Sequence, residues 1–287
     1  MMKAIYKKEV KSYLTSMIGY VFIFFILLLE GIYFTAYNLQ NAYPLFGTTL
    51  SAVTFIFLIL VPVLTMKTIA EERKQKTDQL LLTAPVSVSE IVLGKFLAVA
   101  TVYAIPVLII CLYPMIMGKY GTVSYAMAYT AVLGFALLGF AQIAVGVWSS
   151  VTENPVIAAV VTFIVLFVCY MITGIGSLIP DSSMASLACY MLLVLLAAVW
   201  IYHMIRNLWI AAVIGIAGEA ALAITYVVKS TLFEGSIQKF LSVFDITSHF
   251  DNFTNGILDL QGVVYFLSVI IIFLVLTVQT ITKRRWN

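Results

Sequence analysis

Apolar positions in this chain run continuously rather than alternating. Runs of about 20 residues, the length that crosses a hydrocarbon core as a helix, lie at 18–37, 51–68, 92–117, 123–149, 155–176, 184–203, 207–228 and 263–282. Barrel strands would alternate apolar and polar side chains, so the runs predict helices. Residues 3–17 differ: at 100° per residue Lys3, Lys7, Lys8 and Lys11 cluster on one side, and Ile5, Tyr6, Val10, Tyr13 and Met17 spread over the other. That pattern predicts an amphipathic helix lying on the inner membrane surface.

Between the second and third runs stands a polar island, Thr65–Lys95. Glu72 with Lys76, and Lys74 with Asp78, have the i,i+4 spacing of a solvated helix. Leu80, Leu81 and Leu82 give that helix an apolar end, Ala84-Pro85 breaks it, and Ser87-Val-Ser-Glu90 is a capping box opening the next helix. Lys95 is expected where that helix meets the headgroups. An ordinary charged loop has no need of a Leu triplet, whereas a docking surface for a soluble partner does. The segment 229–262 mixes Phe240, Phe244, Phe250 and Phe253 with polar residues, and reads as short helices on or in the outer leaflet.

Composition agrees. The 287 residues are 63% hydrophobic and 10% charged, against roughly 25% charged in soluble domains. The fold expected is all-α: a polytopic helical membrane protein with eight transmembrane helices, or six if 184–228 does not cross. With eight, both termini share a side. If that side is cytoplasmic, the inner segments hold Lys3, Lys7, Lys8, Lys11, Lys67, Arg73, Lys74, Lys76, Lys95, Arg206, Lys283, Arg284 and Arg285, and the outer ones only Lys119, Lys229 and Lys239. Positive charge favours the inside, so both termini are placed in the cytoplasm; six spans give the same orientation. The first apolar run is too long for a cleavable signal and has no small-residue cleavage site.

Candidate chemistry is sparse. Glu30 and Glu219 fall inside spans, where an acid either lines a pathway or is held structurally against a neighbouring helix. Cys111, Cys169 and Cys189 have no paired spacing for a disulfide or metal. His203 and His249 sit near opposite faces, which argues against a haem. Gly134, Gly139 and Gly146 in the fourth span allow close helix approach, more simply within one subunit than between two. There is no Gly-x-x-x-x-Gly-Lys-Ser/Thr loop, no catalytic residue is identified, and nothing in the charge pattern points to nucleic acid.

The run Leu64-Thr-Met-Lys-Thr-Ile-Ala-Glu-Glu-Arg-Lys, with Thr77-Asp-Gln-Leu-Leu-Leu-Thr-Ala-Pro-Val and Gly94-Lys95, resembles the signature of ABC-2 type exporter permeases. The branch it most resembles holds the gliding-motility and nitrous-oxide-reductase maturation permeases. Trp148-Ser-Ser-Val-Thr-Glu-Asn-Pro155 resembles that family's turn between the fourth and fifth spans. Ser248–Phe266 resembles the segment before the last span. The departure is 184–228, an added hairpin.

The resemblance implies one transmembrane domain over 1–287, like that of a type V ABC exporter, in a bacterial cell membrane. Residues 1–17 would be the interfacial helix, 70–94 the cytoplasmic coupling region and 229–262 the extracytoplasmic gate. Partners would be two copies of a cytoplasmic ABC ATPase, a second permease copy or paralogue, an auxiliary subunit with an extracytoplasmic domain, and the lipid bilayer. ATP and Mg²⁺ would bind the ATPase, with no cofactor on this chain. Glu71, Glu72, Arg73, Lys76, Asp78, Leu80, Leu81 and Leu82 would contact the ATPase, and Phe244, Phe250 and Phe253 would form the gate. The competing readings are an ion-coupled secondary transporter, supported by Glu30 and Glu219 but lacking an evident internal repeat, and a membrane assembly factor that transports nothing.

Overall fold

The computed structural model describes residues 2–77 and 86–285, without the side chains at 204, 205, 210, 284 and 285. Among the described residues there are helices and no strands. In chain order they are α1 (Met2–Thr15), α2 (Met17–Tyr33), a π-helical segment (Phe34–Gln40), α3 (Phe46–Thr54), α4 (Phe57–Thr65), α5 (Ala70–Lys74), α6 (Val88–Ile110), α7 (Tyr113–Met117), α8 (Tyr125–Ser149), α9 (Pro155–Ser177), α10 (Ser183–Ile205), α11 (Leu208–Val228), α12 (Ser236–Ser242), α13 (Asp251–Thr254) and α14 (Leu260–Arg285). In lipid no water satisfies backbone groups, so each span must satisfy its own. Among the described residues seven helical stretches are long and apolar enough to cross a membrane, or eight if the pair α3–α4, bent by 60°, is one span.

Local signals set the helix ends. Ser87 adopts an extended backbone conformation and its hydroxyl accepts the Glu90 N–H at 3.3 Å, the expected cap of α6. Asn154 caps α9 by accepting the Val156 N–H at 2.9 Å, and Pro155 stands at the helix start, where its missing N–H costs nothing. Ser182 caps α10.

The second span departs from the straight helix expected over 51–68. It starts at Phe46 and breaks at Phe55-Ile56, where i→i+3 bonds from Leu58 to Phe55 and from Ile59 to Ile56 tighten the turn. Phe46, Gly47 and Thr49 at this polar-looking start are buried. Gly47 abuts the Thr254 backbone so closely that a Cβ would lie 2.1 Å from its carbonyl oxygen.

By contacts the chain forms two compact units, 1–168 with 246–287, and 169–245. In the first, α8 is the hub, packing on α3, α4, α6, α13 and α14. Its three glycines are sockets within the subunit: a Cβ on Gly134 would lie 2.5 Å from Phe253, on Gly139 2.2 Å from the Tyr103 ring, and on Gly146 2.2 Å from the Thr65 hydroxyl. The Tyr103 hydroxyl donates to the Phe135 carbonyl of the same helix at 2.7 Å.

In the second unit α10 and α11 form a hairpin closed by Arg206 in the left-handed region (φ 53°). They meet where Gly218 sits against Val194. Short helices follow over Ser230–Phe233 and α12, and Gln238 donates to the Ile179 carbonyl at 2.8 Å.

Candidate functional site

The polar island folds back on the N-terminal helix. Helix α1 packs along α6. Gly94 gives it room, since a Cβ there would meet Ile5 and the Met2 carbonyl at 3.3 Å. The Tyr6 and Thr101 hydroxyls are 3.0 Å apart.

Lys95 is the centre of this contact. It is 2% exposed, which overturns its expected place among the headgroups. A lysine can be held inside only if its three donors are satisfied and its charge is matched. Lys95 Nζ donates to Glu9 Oε1 at 3.0 Å, to Glu72 Oε2 at 2.9 Å and to the Thr68 carbonyl at 2.7 Å. The other oxygen of Glu72 receives Lys8 at 3.4 Å. Two acids and two lysines therefore balance. Lys8 is 68% exposed, so its share is small; the Lys95 contacts carry the cluster. Beside them the Tyr13 and Thr68 hydroxyls are 3.0 Å apart, and burial pushes the Tyr13 hydroxyl well above its ordinary pKa. These groups line a cleft of about 460 Å³, open between α1 and α5 and walled by Lys67, Glu71 and Gln75.

Helix α5 ends sharply. Lys76 takes a left-handed conformation (φ 56°), while the Thr77 N–H bonds to the Glu72 carbonyl and the Lys76 N–H to the Arg73 carbonyl, both at 2.9 Å. This is a Schellman stop, a position that favours glycine. Consequently Glu72 does not pair with Lys76 as its spacing suggested; Lys67 and Glu71 form the i,i+4 pair instead, at 3.6 Å. Arg73 donates to the Val151 carbonyl, joining the island to the turn Trp148–Pro155 after α8.

Of the residues expected to meet an ATPase, Glu71, Glu72, Arg73 and Lys76 are described, and only Glu72 and Arg73 are committed to distant segments of this chain. Asp78, Leu80, Leu81 and Leu82 lie outside the described residues. Glu30 is fully buried in α2, with neither carboxyl oxygen hydrogen-bonded. Glu219 is on α11, in an apolar cleft of about 620 Å³ walled by Leu195, Tyr202 and Ile216, its carboxyl oxygens also without a hydrogen bond. Phe250 and Phe253 come together against Gly134 as buried packing. Phe244 belongs to the other unit, half-exposed against Phe240.

Sequence reasoning missed Glu9, Thr68 and Tyr13 as members of the cluster. Glu9 did leave a trace: at 100° per residue it falls on the apolar face of α1, between Ile5 and Tyr13. An acid there needs a buried cation.

The fold and this polar end define a multi-pass helical membrane protein. The chain matches the family model described as ABC-2 family transporter protein over residues 3–284, and it belongs to that family. Such chains are membrane transport subunits rather than enzymes, and the family as a whole works with an ABC ATPase. No curated protein matches the chain, nor does any solved structure.

Proposed function

We propose that this chain is the permease subunit of an ATP-driven exporter in a bacterial cell membrane, belonging to the branch of the gliding-motility and nitrous-oxide-reductase maturation permeases. Both of its termini are cytoplasmic. It pairs with a second copy or a paralogue, and each permease seats one ATPase subunit. ATP and Mg²⁺ bind the ATPase, and this chain supplies the moving helices.

The observation that carries the reading is the Lys95 cluster. A push on α5 from a soluble partner cannot be absorbed by a slack loop, because Glu72 is bound to Lys95 on α6 and, through Lys95, to Glu9 on α1. Arg73 carries the same push to the turn after α8. The docking surface is then the remainder of the island: Glu71, Lys76, Asp78 and the Leu80–Leu82 triplet. Glu72 and Arg73 act as transmitters behind it. On the opposite side the segment 229–262, with Phe244, Phe250 and Phe253, serves as the gate, and α2 with Glu30 borders the route. The hairpin over 184–228, whose large apolar side chains face outward, meets lipid or an auxiliary membrane subunit with an extracytoplasmic domain.

The test is co-expression with the ABC ATPase encoded beside this chain, purified through a tag on this chain alone. ATPase should co-purify and hydrolyse ATP. Leu81→Asp with Lys76→Glu should abolish co-purification while membrane insertion persists. Glu72 is left intact in this experiment, because its loss would break the α1–α6 contact and mimic a docking defect. Unchanged co-purification of the double variant would overturn the docking assignment.

A further inference from the structure

Glu30 is unlike every other described acid outside the α11 hairpin. It lies about 20 Å along α2 from Met17 at 1.5 Å per residue, well inside a hydrocarbon core of roughly 30 Å. It is 0% exposed, and neither oxygen has a hydrogen-bond partner. An ionised carboxylate left unpaired in such a place costs several kcal/mol or more, so the surroundings decide its charge.

Among the described residues those surroundings hold no counter-ion. On α6 the facing titratable group is Tyr103, whose hydroxyl is already donated to Phe135; Glu90 and Lys95 lie toward the helix start, and Lys95 is bound in its own cluster. Tyr113 on α7 faces the same space. Helices α3 and α4 carry no titratable side chain, and the π-helical segment carries only Tyr37. On α1, Glu9 and Lys8 belong to the Lys95 cluster, Tyr6 and Tyr13 are hydrogen-bonded to Thr101 and Thr68, and Lys3, Lys7 and Lys11 are exposed. With no cation to match it, Glu30 is held as the neutral acid.

A second, independent feature adjoins it. One turn beyond Glu30 the helix passes into seven residues of π-helix, Phe34–Gln40. Such segments are rare, are typically a single turn and concentrate at functional sites. This one is pinned at Asn38, which donates to the Tyr43 carbonyl at 2.8 Å and accepts from the Thr49 hydroxyl on α3 at 2.5 Å. The helix carrying the acid therefore ends in a π-helical segment tied to α3.

We propose that Glu30 is a proton-binding site of the transport cycle. It keeps its proton while α2 is packed on α6. When the helices part and water enters, its O–H bond breaks, the proton passes to water and the carboxylate remains. Closure requires that a proton be taken back. The π-helical segment is the hinge that lets α2 turn. The inference rests on the transporter reading only for the opening motion; it holds whether ATP or an ion gradient drives that motion.

The experiment is labelling of the full-length chain in lipid nanodiscs with dicyclohexylcarbodiimide, which attacks protonated carboxyls in apolar surroundings, followed by peptide mass mapping. Aqueous carboxylates are ionised above about pH 6 and stay silent. The adduct should map to the peptide containing Glu30 at about pH 7, vanish in Glu30→Gln and persist in Glu219→Gln. Its rate should fall at least about tenfold across two to three pH units above neutrality, as expected for loss of one proton. No adduct on Glu30 at any pH would overturn the proposal, because a carboxyl that water and reagent never reach cannot exchange a proton. A rate flat across the same range would overturn it too, because the acid would then never ionise. Neither result bears on ATPase co-purification, so the two readings fail separately.

Discussion

Replacing Lys95 by methionine keeps the length of the side chain and removes its charge. Glu9 and Glu72 are then left facing each other. Their oxygens are 3.0 Å and 2.9 Å from the lysine nitrogen and so no more than 5.9 Å apart. At an effective dielectric of about 20, two like charges at that distance repel by about 3 kcal/mol. Breaking a buried pair by removing one partner costs about 3–5 kcal/mol in general. The acids retain 12% and 16% exposure, so the lower end applies. At about 2–4 °C per kcal/mol for a chain of this size, Lys95→Met should lower the melting temperature by about 6–12 °C, measured by thermal-shift size-exclusion chromatography in detergent. Adding Glu72→Gln should recover part of that loss, because it removes one of the two stranded charges. A Lys95→Met variant melting within about 1 °C of wild type, well inside the loss calculated for an uncompensated pair, would refute the reasoning. So would a double variant no better than the single one.

Three further outcomes are expected. Gly139→Ala places a Cβ 2.2 Å from the Tyr103 ring and should cost about 1–3 kcal/mol by overpacking, whereas Gly121→Ala, with nothing within 4 Å, should leave folded yield in fluorescence chromatography unchanged. Lys76→Gly relieves the left-handed backbone that closes α5 and should raise stability by about 1 kcal/mol, seen as slower hydrogen exchange over 70–77. Asp259 is held below its ordinary pKa of 3.8 by the Asn252 side-chain amide, with the N–H groups of Gln261 and Gly262 helping. The sign follows from the depressed value: its carboxylate supports the start of α14 at neutral pH, and that support is lost as pH falls through the lowered pKa. Exchange of the Gln261 and Gly262 amides should accelerate in that acid range in wild type and show no such step in Asp259→Asn.

The spans were legible because a run of about 20 apolar residues has one physical solution in lipid. The cap at Ser87 and the sockets at Gly134, Gly139 and Gly146 were legible for the same kind of reason: each depends on residues within a turn or on the absence of a side chain. The break at Phe55-Ile56 was not, since neither residue is a helix breaker. The π-helical segment leaves no mark either, because one extra residue per turn does not alter an apolar run. Lys95 misled because a lysine near a span end ordinarily reaches for the headgroups. Its partner Glu9 stands 86 residues away, beyond any periodicity. The island was correctly singled out as a handle, but its inner half was read as surface when Glu72 and Arg73 face inward.

The burial of α8 sets what the rest of the molecule is free to do. Of its span, 72% is buried within this one chain, and its three glycines are filled by segments from three separate stretches of sequence. A helix so enclosed cannot tilt without evicting Phe253, Tyr103 and Thr65 together, so α8 is the fixed axle of its unit. Any stroke must therefore turn about α8 or be made by helices not seated in it, such as α2, with α1, α5 and α6 held as one piece because Lys95 binds them. A crosslink anchoring α8 to α14 should be silent in transport, whereas one anchoring α2 to α6 should stall it.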